Sequence, residues 1–361
     1  MSEHIVIVGG GIVGCMTAME LVDRGYRVTI VERNQIASQT SGESSWAGGG
    51  IIFPLLPWMY SEPVNTLTAY GAGAYSTICA RLEKETGLPT GFINSGFLVL
   101  PPYDQKTAID WCNRHQQHVE LVDNIDSLLS PIEGSALWLP QVCQARPPFF
   151  MKALRQWLVQ HQVTLLEHTE LLPLDEFKSL RAWQTTDGRT IEADKFIVTS
   201  GAWSFLLLRN VAQKLSIKPM RGQILLYQPP ENLKQIIYEN GFYMIPRGDG
   251  YLLAGSTLED VGFDSSTTEV VRDELAAKAQ GIMPSLKDLP IIKHWSGLRP
   301  GTPENLPTIS AHPHIDNLYL NTGHFRYGLT MAPASARLVA DLISGNQPFI
   351  DASHFALKIN V

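Results

Sequence analysis

The 361-residue sequence predicts a mixed α/β fold. A parallel, helix-covered sheet is assembled from both ends of the chain, and an antiparallel sheet is inserted between them. Three observations carry this expectation. A strand, glycine turn, helix, strand rhythm fills residues 5–32. Short apolar strands of the same kind recur late, at Phe196–Thr199 and Leu318–Asn321. Between them, turn-bounded segments read as hairpins.

Ile5–Val8 is wholly apolar, as expected of a parallel strand covered on both faces. Gly9-Gly10-Gly11 breaks the run. From Ile12 to Arg24, Cys15, Met16, Met19 and Val22 recur at helical spacing, and Gly25 ends the helix. Val28–Val31 is the second strand, with Glu32 at its end. Ala69–Thr86 reads as a helix, Gly96–Leu100 as a strand, Pro147–His161 as a helix and Thr164–Leu166 as a strand. Leu180–Thr186 and Thr190–Ala193 form a hairpin about Asp187-Gly188. Gln223–Tyr227 is sheet-like, and Phe242–Arg247 pairs with Tyr251–Ser256 about a glycine-rich loop. Thr267–Met283 is helical, and a last helix runs from about Pro333 to Ser344. The two ends are thus Rossmann-like, with a second domain inserted.

Composition narrows the function. Hydrophobic residues make up 44% and charged residues 17%, which excludes a disordered chain. Asp and Glu number 35 against 28 Lys and Arg, with no basic run, so nucleic acid is not an expected partner. Cys15, Cys79, Cys112 and Cys143 form no CxxC pair and no Cys/His cluster. They read as reduced, buried thiols of a cytoplasmic protein, and no metal site is expected. Only Ser2, Glu3 and His4 precede the apolar stretch Ile5–Val22, so neither a signal peptide nor a membrane span is expected.

Gly9-x-Gly11-x-x-Gly14 stands between a strand and a helix. The first glycine permits the tight turn, the second lets backbone approach a pyrophosphate, and the third lets helix pack on strand. The helix N-terminus, from Ile12 and Val13, offers N–H groups and partial positive charge to phosphates. Glu32, 18 residues beyond Gly14, is placed to bind a ribose diol and disfavours a 2′-phosphate. This fingerprint does not choose NAD from FAD. Ser41–Gly50 is a loop of small residues around Trp46, suited to close approach by a flat or charged ligand.

The segments VIVGGGIVG, VERN, GESSWAGGGI, IVTSGAWS, WSGLRPGTPENLPTI and TGHFRYGLTMAPASA occur in this order. Together they resemble the FAD-dependent D-amino-acid oxidase family, and within it the bacterial glycine-oxidising branch associated with the thiazole half of thiamine synthesis. The resemblance covers almost the whole chain. It implies an FAD domain of residues 1–85, 140–212 and 292–361, and a substrate domain of residues 86–139 and 213–291. It implies non-covalent FAD with its adenine end near Glu32, Arg33 and Leu171. Gly42, Glu43, Ser44, Ala47, Gly48 and Gly49, and the loop His324, Phe325, Tyr327, Gly328, Leu329 and Thr330, would lie along the cofactor. The helix near Pro333 would aim its positive end at the flavin pyrimidine. An Asn is frequent in the family where Tyr327 stands here.

On the substrate side the resemblance implies that Arg299 grips a carboxylate, that Tyr243 closes the carboxylate pocket, that Arg326 lies near the amine and that Leu258 lines the pocket. The face of Tyr243 on its strand includes Ile245 and Arg247. The implied reaction is oxidative deamination of glycine or another small primary, secondary or D-amino acid. Hydride passes to flavin and O2 is the acceptor, giving an imine or α-keto acid, ammonia and H2O2. His324 and His294 are not needed as bases. A homo-oligomer, often a tetramer, is implied. Three other readings use the same residues: a dehydrogenase with another electron acceptor, a sarcosine or D-proline oxidase, and a flavin-binding module without catalysis.

Overall fold

The computed structural model describes residues 2–39, 42–175, 179–212 and 215–357. Ser41 of the glycine-rich stretch and the expected domain boundary at Gln213 lie outside them.

Six strands form the first sheet, in the order Thr308–Ala311, Leu318–Thr322, Lys195–Val198, His4–Val8, Arg27–Val31, Thr164–Leu166. All pairs are parallel except the edge pair of Thr308–Ala311 with Leu318–Thr322. The central strand explains its own composition. Ile5 and Ile7 pack with the helices Ile12–Asp23 and Gly328–Ser344, while Val6 and Val8 pack with Phe196, Val198 and Leu320 on the other face. With both faces covered, an unbroken apolar run is the stable choice.

The second sheet has eight strands, in the order Lys293–Gly301, Lys218–Tyr227, Leu252–Gly255, Phe242–Pro246, Ile236–Glu239, Phe97–Val99, Ala136–Leu139, Glu120–Val122. It is antiparallel except for Ile236–Glu239 beside Phe97–Val99, a parallel pair the sequence did not signal. Lys293–Gly301 was also missed as a strand, and it follows the expected division at 291/292 yet pairs along its whole length with Lys218–Tyr227. It is an edge strand, so Pro300 costs no ladder hydrogen bond on the open side.

Two helices begin earlier than expected. The helix expected over Ala69–Thr86 spans Glu62–Thr86, with proline in its first turn, a position that needs no N–H. The helix expected from about Pro333 starts at Gly328 and runs through that proline. A proline here leaves the carbonyl four residues back without its helical donor. That carbonyl belongs to Leu329, and the Tyr75 hydroxyl donates to it at 2.6 Å. All four cysteines are free, but Cys143 is only half-buried, because its short strand lies in a small three-stranded sheet away from the main core.

Candidate active site

A cavity of about 670 Å³ lies where the two sheets face each other. One wall is made by the carboxyl ends of four parallel strands, through Val8, Val31, Thr199 and Asn321. This is where open α/β sheets bind ligands. The other wall is the antiparallel sheet, through Tyr243, Ser256, Thr257 and Arg299.

At the end that holds Gly9-x-Gly11-x-x-Gly14, Gly9 and Gly14 have the tight-turn and close-packing geometry of the fingerprint. Gly9 has φ of +116°, and a Cβ there would lie 2.9 Å from the backbone of Ser200. A Cβ on Gly14 would lie 2.0 Å from the Gly9 carbonyl oxygen. The helix Ile12–Asp23 has no side-chain cap hydrogen bond at Gly11 and no acidic residue in its first turn. Its positive end is left for an anion. The Ile12 N–H donates to Ser45 Oγ at 3.0 Å, which ties the glycine-rich stretch to this helix. Glu32 accepts from the N–H groups of Gly10 (2.8 Å) and Asn34 (3.0 Å) and still lines the cavity. The Arg33 guanidinium stacks 4.2 Å over Trp203, and Leu171 closes that end.

Midway, Gly48 and Gly49 line the cavity opposite the His324–Thr330 segment. A Cβ on Gly49 would press on Ile245 (2.9 Å) and Tyr243 (3.2 Å), so only glycine lets this backbone lie flat. The helix Gly328–Ser344 opens onto the cavity through Gly328, Leu329 and Thr330, again without a side-chain cap or a first-turn acid. His324 is buried and burial pushes its imidazole down to about 3, so it is neutral. Its Nε2 has no protein partner among the described residues. A buried polar atom on a cavity wall without a partner is a position where a ligand group is expected. Two helix N-termini without an N-cap side-chain bond or a first-turn acid, the glycine cradles and this orphaned nitrogen all fit FAD.

At the far end Arg299 donates from Nη1 to the Thr257 carbonyl (3.0 Å) and from Nη2 to Ser256 Oγ (2.7 Å). Burial holds its guanidinium below the ordinary arginine range, with Tyr243 beside it opposing the shift. Gly222, on the paired strand, makes room for it: a Cβ there would sit 2.0 Å from Nη1. Tyr243 is buried, whereas Leu258 is 44% exposed at the cavity mouth. Arg326 is exposed and lines the cavity beside Phe325. Tyr327 is buried and its hydroxyl lies 2.5 Å from that of Tyr60, so it joins a tyrosine pair rather than standing free toward the ring site.

Gly9, Gly11, Ile12, Val13, Glu32, Arg33, Glu43, Ser44, Gly48, Gly49, Leu171, Tyr243, Leu258, Arg299, His324, Phe325, Arg326, Tyr327, Gly328, Leu329 and Thr330 all border the one cavity. Gly14, Gly42 and Ala47 do not. Gly14 is consumed in helix-on-strand packing. Gly42 has φ of +94° and its carbonyl accepts from the Leu298 N–H at 2.8 Å. Ala47 is buried against the Lys293–Gly301 strand, its carbonyl accepting from Trp295 Nε1 at 3.1 Å. The sequence reading missed Gly222, Ser256 and Thr257, whose relation to Arg299 depends on cross-strand register. Thr199 and Trp203, both within IVTSGAWS, border the cavity as well.

Residues 4–342 match the family described as DAO, FAD dependent oxidoreductase. A glycine oxidase of Pseudomonas aeruginosa is 39% identical over 364 residues, covering 99% of this chain and 99% of that protein. A glycine oxidase of Pseudomonas putida is 36% identical, covering 99% and 98%. The crystal structure of glycine oxidase from Geobacillus kaustophilus superposes with a TM-score of 0.90 at 25% identity, covering 100% of both chains. The chain is therefore a member of the DAO family of FAD-dependent oxidoreductases.

Proposed function

We propose that this enzyme oxidatively deaminates glycine and comparably small amino acids with O2 as acceptor, releasing H2O2. The observation that carries the reading is a buried guanidinium, Arg299, at the end of a cavity whose opposite end fits a dinucleotide. FAD, when bound, supplies the two-electron acceptor. The chain supplies position and charge. Arg299 pairs a planar, forked cation with the substrate carboxylate, and the bonds to Thr257 and Ser256 fix the plane of that fork. Tyr243 closes the carboxylate pocket, Arg326 borders the amine end and Leu258 covers the mouth. His324, neutral at neutral pH, carries no imidazolium proton to give as a general acid. The first sheet with its helices forms the cofactor domain and the eight-stranded sheet the substrate domain, with Lys293–Gly301 contributing Arg299 from the latter.

The similarity to glycine oxidases supports glycine itself and a place in the thiazole branch of thiamine synthesis. We further place the enzyme in the cytoplasm as a homo-oligomer. No described helix is long and apolar enough to cross a membrane.

The test is oxygen uptake with glycine, sarcosine and D-proline, for the wild type and Arg299→Ala. Each charge-assisted hydrogen bond contributes about 1.5–3 kcal/mol, so KM in the variant rises about tenfold to a hundredfold per bond lost while FAD content stays normal. Wild-type turnover in Arg299→Ala contradicts the assignment. Substrate-dependent flavin reduction without oxygen uptake favours the dehydrogenase reading.

A further inference from the structure

Arg247 is 8% exposed. Among the described residues no carboxylate lies within ion-pair distance of it; the neighbouring Asp249 is paired with Arg146. Its hydrogen bonds go elsewhere. Nη2 donates to the Gly49 carbonyl at 2.7 Å and Nη1 to Gln144 Oε1 at 2.5 Å. Gln144, itself buried, donates onward to the Pro246 carbonyl (2.9 Å) and Ser95 Oγ (3.1 Å). Burial, with Arg146 nearby, pushes the Arg247 guanidinium down to about 10, and Tyr243 and Asp249 oppose this only in part. Taking such a charge out of water is costly, and an apolar side chain of similar volume would avoid the cost.

The position of Arg247 suggests what offsets that cost. Tyr243 and Ile245 share one face of the strand Phe242–Pro246, and Arg247 follows it directly, its N–H donating to the Tyr251 carbonyl at 2.7 Å. Gly49 lies against that face, touching Tyr243 and Ile245 and accepting from Arg247. The same backbone lines the cavity.

We propose that Arg247 is a positioning residue for the flavin: its fork locks the Gly48-Gly49-Gly50 backbone to the Tyr243 strand, and its unpaired charge, one hydrogen bond behind that backbone, favours the negatively charged reduced ring. This rests on the reading that the ring lies along Gly48 and Gly49.

Arg247→Gln and Arg247→Lys, purified as holoenzymes, test it through the FAD dissociation constant and the affinity of the flavin for sulfite, which follows positive charge near the ring. Arg247→Gln loses the charge, and its sulfite affinity falls about tenfold or more. Arg247→Lys keeps the charge but loses the planar fork, so sulfite affinity stays within about threefold of wild type while FAD binds about tenfold more weakly. A purely structural residue would alter stability and leave sulfite affinity unchanged in both. Wild-type sulfite affinity in Arg247→Gln overturns the proposal. If Arg247→Gln does not fold, wild-type FAD affinity in Arg247→Lys overturns it. A wild-type chain that takes up FAD but does not oxidise glycine contradicts the functional reading and leaves this test intact.

Discussion

Arg299 can occupy its place because Gly222 lacks a side chain. A methyl group at 222 would sit 2.0 Å from Nη1, and a flexible guanidinium would yield before the backbone did. Gly222→Ala is therefore expected to raise KM for glycine about tenfold and to lower kcat as well, with FAD content unchanged, because a displaced fork both weakens and misorients the bound carboxylate. Steady-state kinetics with a flavin absorbance check measure this. The contrast with Gly9 and Gly14 shows what was legible at this scale. Their roles depend on local geometry within one strand–helix turn, so spacing alone reveals them. The role of Gly222 depends on its register against Gly297 and Arg299 across two strands about eighty residues apart in sequence, which no local pattern encodes.

At the scale of elements, the helix Gly328–Ser344 shows why its start was misplaced. Proline is a strong signal for a helix start, and Pro333 was read as one. The fold instead keeps it inside the helix by giving the Leu329 carbonyl an outside donor, the buried Tyr75 hydroxyl. Tyr75→Phe removes that donor and nothing else. A buried carbonyl left unpaired costs about 1–3 kcal/mol, so the variant is expected to unfold at lower urea concentration. An unchanged midpoint would show that the carbonyl is satisfied without Tyr75. The hairpins and the first βαβ unit were legible because turn glycines and period-two alternation are local. Lys293–Gly301 was not, since its glycine and proline contradict strand propensity and only its edge position tolerates them.

For the whole molecule, the two sheets bring residues from positions 8 to 330 onto one cavity. The order of the motifs along the chain announced that convergence, but not which residues would pack rather than line, as Gly14, Gly42 and Ala47 do. The buried His324 gives a global consequence. Its folded pKa of about 3 lies below the unfolded value of about 6.5. The unfolded chain then binds the extra proton, so stability is full above pH about 6.5 and falls as pH drops toward 3. Comparing thermal midpoints at pH about 7 and about 5, before most carboxylates titrate, the wild type is expected to lose more than His324→Gln.

The most direct test is to record the visible spectrum of the FAD-loaded protein, add glycine without oxygen, and then admit air. The yellow colour is expected to bleach and to return in air with release of peroxide. A fully FAD-loaded protein whose colour is untouched by saturating glycine would contradict the proposed function.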